Sequence, residues 1–284
     1  MIRVIAIDID GTLLDSQGQM PDENRKIIKE ASVTGIHIIL ATGRCFHHAK
    51  PVSETLLDKI TLIVNNGALV KTGKGITLNS TTLSRDLARE VINSTKSLQM
   101  GTALVFDRTG NQQYLFENID WKHPNRFDYF KQNARFMTEI SPLEKGLTED
   151  PLQIAFNGSV NEMRRLRDYL HRQPNTSELC LTITEYKDRD FSLLDITAKN
   201  CSKGNSLATW CNSLGINADQ VMAIGDNLND LDMLMFAGLP IIMGNAVKEL
   251  KSYGWKLTES NDNGGLANAI RAFALNKQVV SKLI

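Results

Sequence analysis

The chain has 284 residues, of which 42% are hydrophobic and 23% are charged, a composition ordinary for a globular protein. Lysine plus arginine and aspartate plus glutamate number 32 each, so the charge balance points to no nucleic-acid or anionic-membrane partner. The apolar runs, such as residues 36–41, are too short to cross a bilayer, and the first of them meets Asp8 too early for a secretion signal. We therefore expect a cytoplasmic protein.

The first part of the chain alternates short apolar runs with segments of helical spacing. Apolar runs rich in β-branched residues are typical of strands buried on both faces, and a glycine at position 35 ends the first helical pattern. Alternation of this kind predicts a parallel sheet with right-handed crossovers. The predicted strands are 3–9, 36–41 and 62–64, and the predicted helices are 22–34 and 46–57.

The middle of the chain has a different pattern, and the first pattern returns near the end. Between about residues 69 and 194, predicted hairpins and isolated strands are interrupted by two helices, at 85–98 and 160–172, which indicates an α+β unit. Strand-helix alternation resumes with predicted helices at 203–214, 229–236 and 264–275 and strands at 221–224 and 240–243. The prediction is an α/β fold, a Rossmann-like parallel-sheet core (1–82 and 196–284) with an inserted α+β domain (83–195).

Two acidic clusters follow two of the predicted buried strands. Asp8 and Asp10 end the first strand, where Gly11 turns the chain, and Asp226 and Asp230 follow the strand at 221–224. Open α/β sheets bind ligands at the carboxyl ends of their strands. Taken alone, each cluster is equally explained as a turn or a helix cap. Together they suggest a shared site for a hard cation, because carboxylate and carbonyl oxygens suit Mg²⁺.

Groups able to bind phosphate lie beside the same strand ends. Thr42, Gly43 and Arg44 follow the strand at 36–41 and offer a hydroxyl and backbone N–H groups near a helix start. Lys203 begins a predicted helix and can supply positive charge. Separately, Thr42 is more simply a helix cap and Lys203 a solvated lysine. The order of acid pair, Thr-Gly, lysine and second acid cluster favours a phosphate site.

These motifs resemble those of the haloacid dehalogenase superfamily, and most closely its Cof-type phosphatases. Further similarity lies in residues 66–68, 243–246 and 258–265, and the middle domain resembles that group's α/β cap in position and size. The four motifs are Asp8 to Asp15 (DIDGTLLD), Ala41 to Arg44 (ATGR), Lys203-Gly204 and Gly225 to Asp230 (GDNLND).

The resemblance implies a magnesium-dependent phosphatase with an aspartyl-phosphate intermediate. Asp8 would be the nucleophile and Asp10 the general acid and base. The metal would be held by Asp8, the backbone carbonyl of Asp10, and Asp226. Arg44 and Asp230 would support these residues without contacting the phosphate, and Asp230 would do so by anchoring waters or Lys203. The implied phosphate-binding groups are Thr42, the backbone of Ile9 and Gly43, Lys203 and Asn229.

The expected substrate is a small phosphate monoester such as a sugar phosphate, pyridoxal phosphate or a flavin nucleotide. Two alternatives stay open at this point. A phosphotransferase or phosphomutase would keep the site and replace water with a sugar hydroxyl. A non-catalytic sensor of a phosphorylated metabolite would bind without turnover, although it would need neither the nucleophile nor the acid.

Overall fold

The computed structural model describes residues 1–56, 59–121, 124–125, 127–186 and 189–275. The strands, in chain order, are β1 (Val4–Asp8), β2 (His37–Ala41), β3 (Ile60–Val64), β4 (Leu69–Thr72), β5 (Thr77–Ser80), β6 (Thr102–Val105), β7 (Tyr114–Glu117), β8 (Met137–Glu139), β9 (Gln153–Gly158), β10 (Leu179–Tyr186), β11 (Phe191–Ala198), β12 (Val221–Gly225), β13 (Leu239–Ile242) and β14 (Lys256–Leu257). The helices are α1 (Asp22–Val33), α2 (Phe46–Glu54), α3 (Arg85–Thr95), α4 (Phe127–Asn133), α5 (Val160–Leu170), α6 (Lys203–Ser213), α7 (Leu231–Phe236), α8 (Lys248–Lys251) and α9 (Gly265–Ile270).

Of the described residues, those within 1–80 and 202–275 form the first compact unit, which is built on one large sheet. The strand order is β14-β13-β12-β1-β2-β3-β4-β5, and the six strands from β14 to β3 run parallel. The hairpin of β4 and β5 adds two antiparallel strands at one edge. The predicted α/β fold class with a parallel-sheet core is confirmed.

One face of this sheet packs against α6 and α7. Ala6 of β1 and Ile39 of β2 belong to the same buried cluster as Leu207 of α6 and Met233 of α7. β1 is buried along its whole length, because both faces of a parallel sheet are covered by the crossover helices. The core therefore fixes the carboxyl ends of β12, β1 and β2 side by side.

The second unit contains residues 81–201 and has its own sheet, in the order β10-β11-β9-β6-β7-β8. Its pairs are antiparallel except for β7 with β8. α5 begins with a capping box, in which Ser159 accepts from the Glu162 N–H and Glu162 accepts from the Ser159 N–H, and it packs its buried Met163, Leu166 and Leu170 inward. This unit is the α+β insertion expected between the two halves of the core.

The predicted boundaries of the insertion, 83 and 195, differ from the division seen in the structure. The sequence boundary at 195 falls inside β11, which continues to Ala198 because it pairs with β10 as far as Leu179. The second unit therefore extends to Cys201. Predicted helix 46–57 ends at Glu54, and its last predicted residue, Leu57, lies outside the described residues.

In the part of the chain that the structure describes, no helix combines the length and the apolar character needed to cross a membrane.

Candidate active site

Three neighbouring strands of the first unit end at one edge of the sheet, and each delivers a polar group there. Asp8 is the last residue of β1, Thr42 directly follows β2, and Asp226 directly follows β12. These strands are adjacent and parallel in the sheet. The placement predicted from the sequence, at the carboxyl edge where such sheets bind ligands, is what the structure has.

Lys203 lies at the centre of a buried ion-pair network. Its Nζ donates to Asp8 Oδ1 at 2.6 Å and to Asp230 Oδ1 at 2.7 Å. The side chains of Lys203 and Asp230 are fully buried and that of Asp8 is 6% exposed. Asp230 Oδ2 accepts from the backbone N–H groups of Asp226 and Asn227, at 3.0 Å each. Asp230 therefore orients both the lysine and the turn that carries Asp226.

Asp226 lies against the turn that follows β1. Thr12 Oγ1 donates to Asp226 Oδ1 at 3.0 Å. Gly11 has a φ of +84°, and a Cβ built there would lie 2.4 Å from Asp226 Oδ2. Only glycine permits both this left-handed conformation and this close approach. The Asp-Gly-Thr run thus shapes the space beside the second acid cluster.

The buried centre carries more negative than positive charge. Asp8, Asp226 and Asp230 are three carboxylates, and Lys203 is one ammonium, so full ionisation would leave two negative charges unbalanced. Burial, followed by repulsion from Asp230, raises the pKa of Asp8 well above its usual value and that of Asp226 to about 8. Burial alone would lower the pKa of Lys203, but Asp230 and Asp8 outweigh it and raise that pKa.

This excess of charge fits a divalent cation. Carboxylate oxygens of Asp8, Asp226 and Asp230 lie within 4.8 Å of one another, and carboxylates are the ligands that hard cations prefer. Asp230 differs from the other two because both of its oxygens already accept hydrogen bonds. Asp8 and Asp226 are therefore the carboxylates better able to hold a metal. The sequence analysis assigned to the metal the backbone carbonyl of Asp10, which is not one of these side-chain carboxylates.

Asp10 is bound by Arg44 in a bidentate ion pair. Arg44 Nε donates to Asp10 Oδ2 at 2.8 Å and Nη2 donates to Asp10 Oδ1 at 2.6 Å. Both side chains are partly exposed, at 30% for Arg44 and 41% for Asp10. The paired geometry fixes the plane of the carboxylate. Asp10 therefore stands at the more exposed side of the site, whereas Asp8 and Asp226 are buried.

The remaining predicted residues lie on the loops around this centre. Thr42 is 1% exposed, and its Oγ1 accepts from the Arg44 N–H at 3.1 Å. The side chain of Ile9 is fully buried in the core, so only its backbone can contact a ligand. Gly43 likewise offers only backbone, and Asn229 Nδ2 donates to Asn66 Oδ1 at 3.5 Å. This loop set can supply N–H, hydroxyl and amide donors to an anion.

Three residues that the sequence analysis left without a role contact this site. Thr12 donates to Asp226, Asn66 lies against Gly43, and Asn245 Nδ2 donates to the backbone oxygen of Gly11 at 2.8 Å. Asn245 Oδ1 also accepts from the Asn261 N–H at 3.0 Å, which joins the turn after β1 to the loop at 258–265. The motifs quoted above contain all three, but their spacing along the chain gives no hint of these partners.

Comparison with known proteins identifies the family. The profile of the haloacid dehalogenase-like hydrolases matches residues 5–270. The chain belongs to this family. The match spans both halves of the core and the insertion, so the resemblance carried by the four motifs is confirmed over nearly the whole chain.

The relatives of this hydrolase include phosphatases that align over almost their full length. A 5-amino-6-(5-phospho-D-ribitylamino)uracil phosphatase of Bacillus subtilis is 30% identical over 274 residues, covering 96% of each chain. An HMP-PP phosphatase of Serratia proteamaculans is 27% identical, covering 89% of this chain and 87% of the relative. A solved structure from Streptococcus mutans superposes with a TM-score of 0.81 at 21% identity, over 96% of this chain and 99% of that one, which supports the fold.

The predicted enzyme class, a phosphoric monoester hydrolase of the haloacid dehalogenase type, is confirmed by this family membership and these relatives.

Proposed function

We propose that this hydrolase cleaves small-molecule phosphate monoesters with Mg²⁺ as its cofactor and Asp8 as its nucleophile. The observation that carries the proposal is the buried, negatively charged centre at the carboxyl edge of the sheet, where Asp8 is held by Lys203. A cation is needed there to balance the acids, and a phosphate ester is a ligand that a cation and a lysine can bind together.

The reaction divides between two aspartates. A carboxylate oxygen of Asp8 attacks phosphorus, the P–O bond to the leaving group breaks, and Asp10 gives the departing oxygen its proton. Asp10 then takes a proton from water as the water oxygen attacks the phosphorus of the aspartyl-phosphate. That step releases inorganic phosphate and restores Asp8. Arg44 holds the Asp10 carboxylate in a fixed plane between these events.

The metal site and the phosphate site use different residues of the same loops. We assign the cation to Asp8, the backbone carbonyl of Asp10, and Asp226. When bound, Mg²⁺ neutralises charge that develops on the transferring phosphoryl group. The phosphate is assigned to Thr42, the backbone N–H groups of Ile9 and Gly43, Lys203 and Asn229.

The substrate class rests on the relatives. The Bacillus subtilis relative is named for a phosphate ester on a ribityl chain attached to a uracil ring, and such a molecule is a small phosphate monoester. We extend this class to the present hydrolase, acting on sugar phosphates, pyridoxal phosphate or flavin nucleotides in the cytoplasm. Nucleic acids and membranes are not among the proposed partners, in keeping with the equal numbers of acidic and basic residues.

The test is a phosphate-release screen over small phosphate esters with Mg²⁺, comparing the native chain with Asp8→Asn. The substitution keeps the size of the side chain but removes its nucleophilic oxygen, so we expect release to fall by at least about ten-thousandfold. Turnover near that of the native chain would refute the role of Asp8. An Asp219→Asn variant, in which an exposed aspartate of the same unit is replaced, serves as the matched control and should leave turnover unchanged.

The same screen tests the cofactor. Removal of divalent cations by EDTA should abolish phosphate release, and added Mg²⁺ should restore it. Release that persists after chelation would eliminate the metal from the mechanism. Isomerisation of a sugar phosphate with little free phosphate would instead identify a phosphomutase.

A further inference from the structure

The turn that follows β3 has an unusual backbone. Asn65, Asn66 and Gly67 have φ values of 51°, 51° and 102°, so three successive residues lie in the left-handed region. Asparagine adopts this region at a cost, and such conformations persist only where the surroundings hold them in place. All three residues are buried. The contacts of the turn with its surroundings must therefore stabilise this left-handed backbone.

On one side, the turn holds the loop that follows β2. The Asn66 N–H donates to the Thr42 carbonyl oxygen at 3.1 Å, and the Asn65 N–H donates to the Arg44 carbonyl oxygen at 2.9 Å. The Asn66 side chain lies directly against Gly43, since a Cβ built on Gly43 would be 3.1 Å from Asn66 Oδ1. The turn thus fixes the Thr-Gly-Arg loop through both its backbone and the Asn66 carboxamide.

On the other side, the turn contacts the start of α6 and the second acid cluster. A Cβ built on Gly67 would lie 2.2 Å from the Ser202 carbonyl oxygen, and Ser206 Oγ donates to the Gly67 carbonyl oxygen at 2.7 Å. Asn229 Nδ2 donates to Asn66 Oδ1 at 3.5 Å, at the long end of hydrogen-bond distances. One turn therefore joins the loops that carry Thr42, Lys203 and Asn229.

We propose that Asn66 is a positioning residue of the phosphate site, acting through Asn229 and the Gly43 backbone. Asn66 is 1% exposed, and its carboxamide lies between these two groups. By accepting from Asn229 Nδ2 it sets the direction in which the Asn229 carboxamide points. This inference rests on the proposed function, because it assigns Asn66 a part in binding the phosphate that is to be transferred.

The test separates the side chain of Asn66 from its backbone. Asn66→Gly removes the carboxamide and keeps the left-handed turn, since glycine adopts this conformation freely. With a phosphate ester as substrate and Mg²⁺ present, we expect KM and the inhibition constant of inorganic phosphate to rise about tenfold, because Asn229 would no longer be held in the direction of its hydrogen bond to the charged phosphate. The kcat should change much less, because the proposed chemical step belongs to Asp8 and Asp10.

A double-mutant cycle tests the route through Asn229. Asn229→Ala alone should raise KM by a similar factor. If Asn66 acts through Asn229, the double variant should also be about tenfold weaker than the native chain, rather than about a hundredfold as independent effects would give. Independent, multiplying effects would overturn the proposal, and so would an Asn66→Gly variant with native KM and a lowered melting temperature, which would mark a purely structural role.

Gln99→Gly is the matched control, since Gln99 has a φ of 48° and is an exposed left-handed residue of the second unit. It should keep native KM and kcat.

The proposed function and the inference about Asn66 can fail separately. If the native chain hydrolyses no phosphate ester, the proposed function is refuted. If the native chain is active and Asn66→Gly has the same KM and kcat, only the inference about Asn66 is refuted.

Discussion

Gly11 shows how a single backbone position sets the geometry of the site. Its φ of +84° turns the chain directly after β1, and its missing Cβ leaves room for the Asp226 carboxylate. The same turn places Thr12 Oγ1 in contact with Asp226 Oδ1. The two acid clusters, more than two hundred residues apart in sequence, therefore depend on one glycine for their approach.

We expect Gly11→Ala to impair catalysis much more than stability. A Cβ at 2.4 Å from Asp226 Oδ2 forces the carboxylate to move, and displacing a catalytic group by about 1 Å costs about a hundredfold in rate. Gly18→Ala is the matched control, because Gly18 has a φ of +74° and no atom within 4 Å of the added Cβ. It should cost only the left-handed strain, about 1 kcal/mol, with native kcat. Equal kinetics for the two variants would contradict this account of Gly11.

At the scale of the element, α6 delivers the lysine. Ser202 caps the helix by accepting from the Asn205 N–H at 3.2 Å, and Lys203 is the first residue of the helix. The capped end fixes the start of the helix, and the Lys203 side chain runs from there to Asp8 and Asp230. The position of the ammonium group is thus set by where the helix begins.

Ser202→Ala should therefore lower both stability and activity. Loss of the cap costs about 1 kcal/mol, and fraying at Lys203 should reduce kcat/KM by about tenfold. Ser84→Ala removes a comparable cap in α3, where Ser84 accepts from the Leu87 N–H at 3.3 Å, and should reduce stability without changing kcat/KM. Chemical denaturation and steady-state kinetics of both variants supply the comparison. If Ser84→Ala lowers kcat/KM as much as Ser202→Ala does, the cause is a general loss of stability and not the position of Lys203.

At the scale of the whole molecule, the buried acids of the site lower the free energy of unfolding. Three buried carboxylates surround one lysine, so the folded state is stable only if two of the carboxyl groups are protonated or bind a cation. Burial and the charge of Asp230 raise the pKa of Asp226 from 3.8 to about 8, and the pKa of Asp8 is raised as well. A group whose pKa is higher in the folded state stabilises the fold when protonated, and this contribution is lost as the pH rises through the folded value.

The metal-free protein should accordingly lose stability between about pH 4 and pH 8, the window set by the ordinary and the raised pKa of Asp226. Denaturation in EDTA at several pH values measures the loss, and Asp226→Asn should reduce it, since asparagine does not titrate. Mg²⁺ should offset part of the loss, because a ligand at a hundredfold excess over its Kd stabilises the native state by about 2.7 kcal/mol. A loss of stability over this window that is as large in Asp226→Asn as in the native chain, or no loss in the native chain, would contradict the prediction.

The sequence alone was sufficient for the fold class, the family and the main candidate residues. Alternating strand and helix patterns determine a parallel sheet because hydrophobic periodicity and right-handed crossovers leave few arrangements. Polar residues at the end of a buried strand or directly after it must then lie at one edge, which is why Asp8, Thr42 and Asp226 could be named before any coordinates. The end of the insertion was less predictable, since β11 extends to Ala198 only because of its pairing with β10.

Only the tertiary structure decided how these groups divide their contacts. No spacing shows that Arg44 pairs with Asp10, that both oxygens of Asp230 are engaged, or that Asn66 joins the loops of Thr42 and Asn229. Except for the local contacts of Asp230 with the backbone of its own turn, these side-chain contacts join residues 27 or more positions apart in the chain, and side-chain packing selects the partners once the strands are in register. Local sequence specifies which groups reach the edge of the sheet, and the close packing of the folded chain specifies which of them meet.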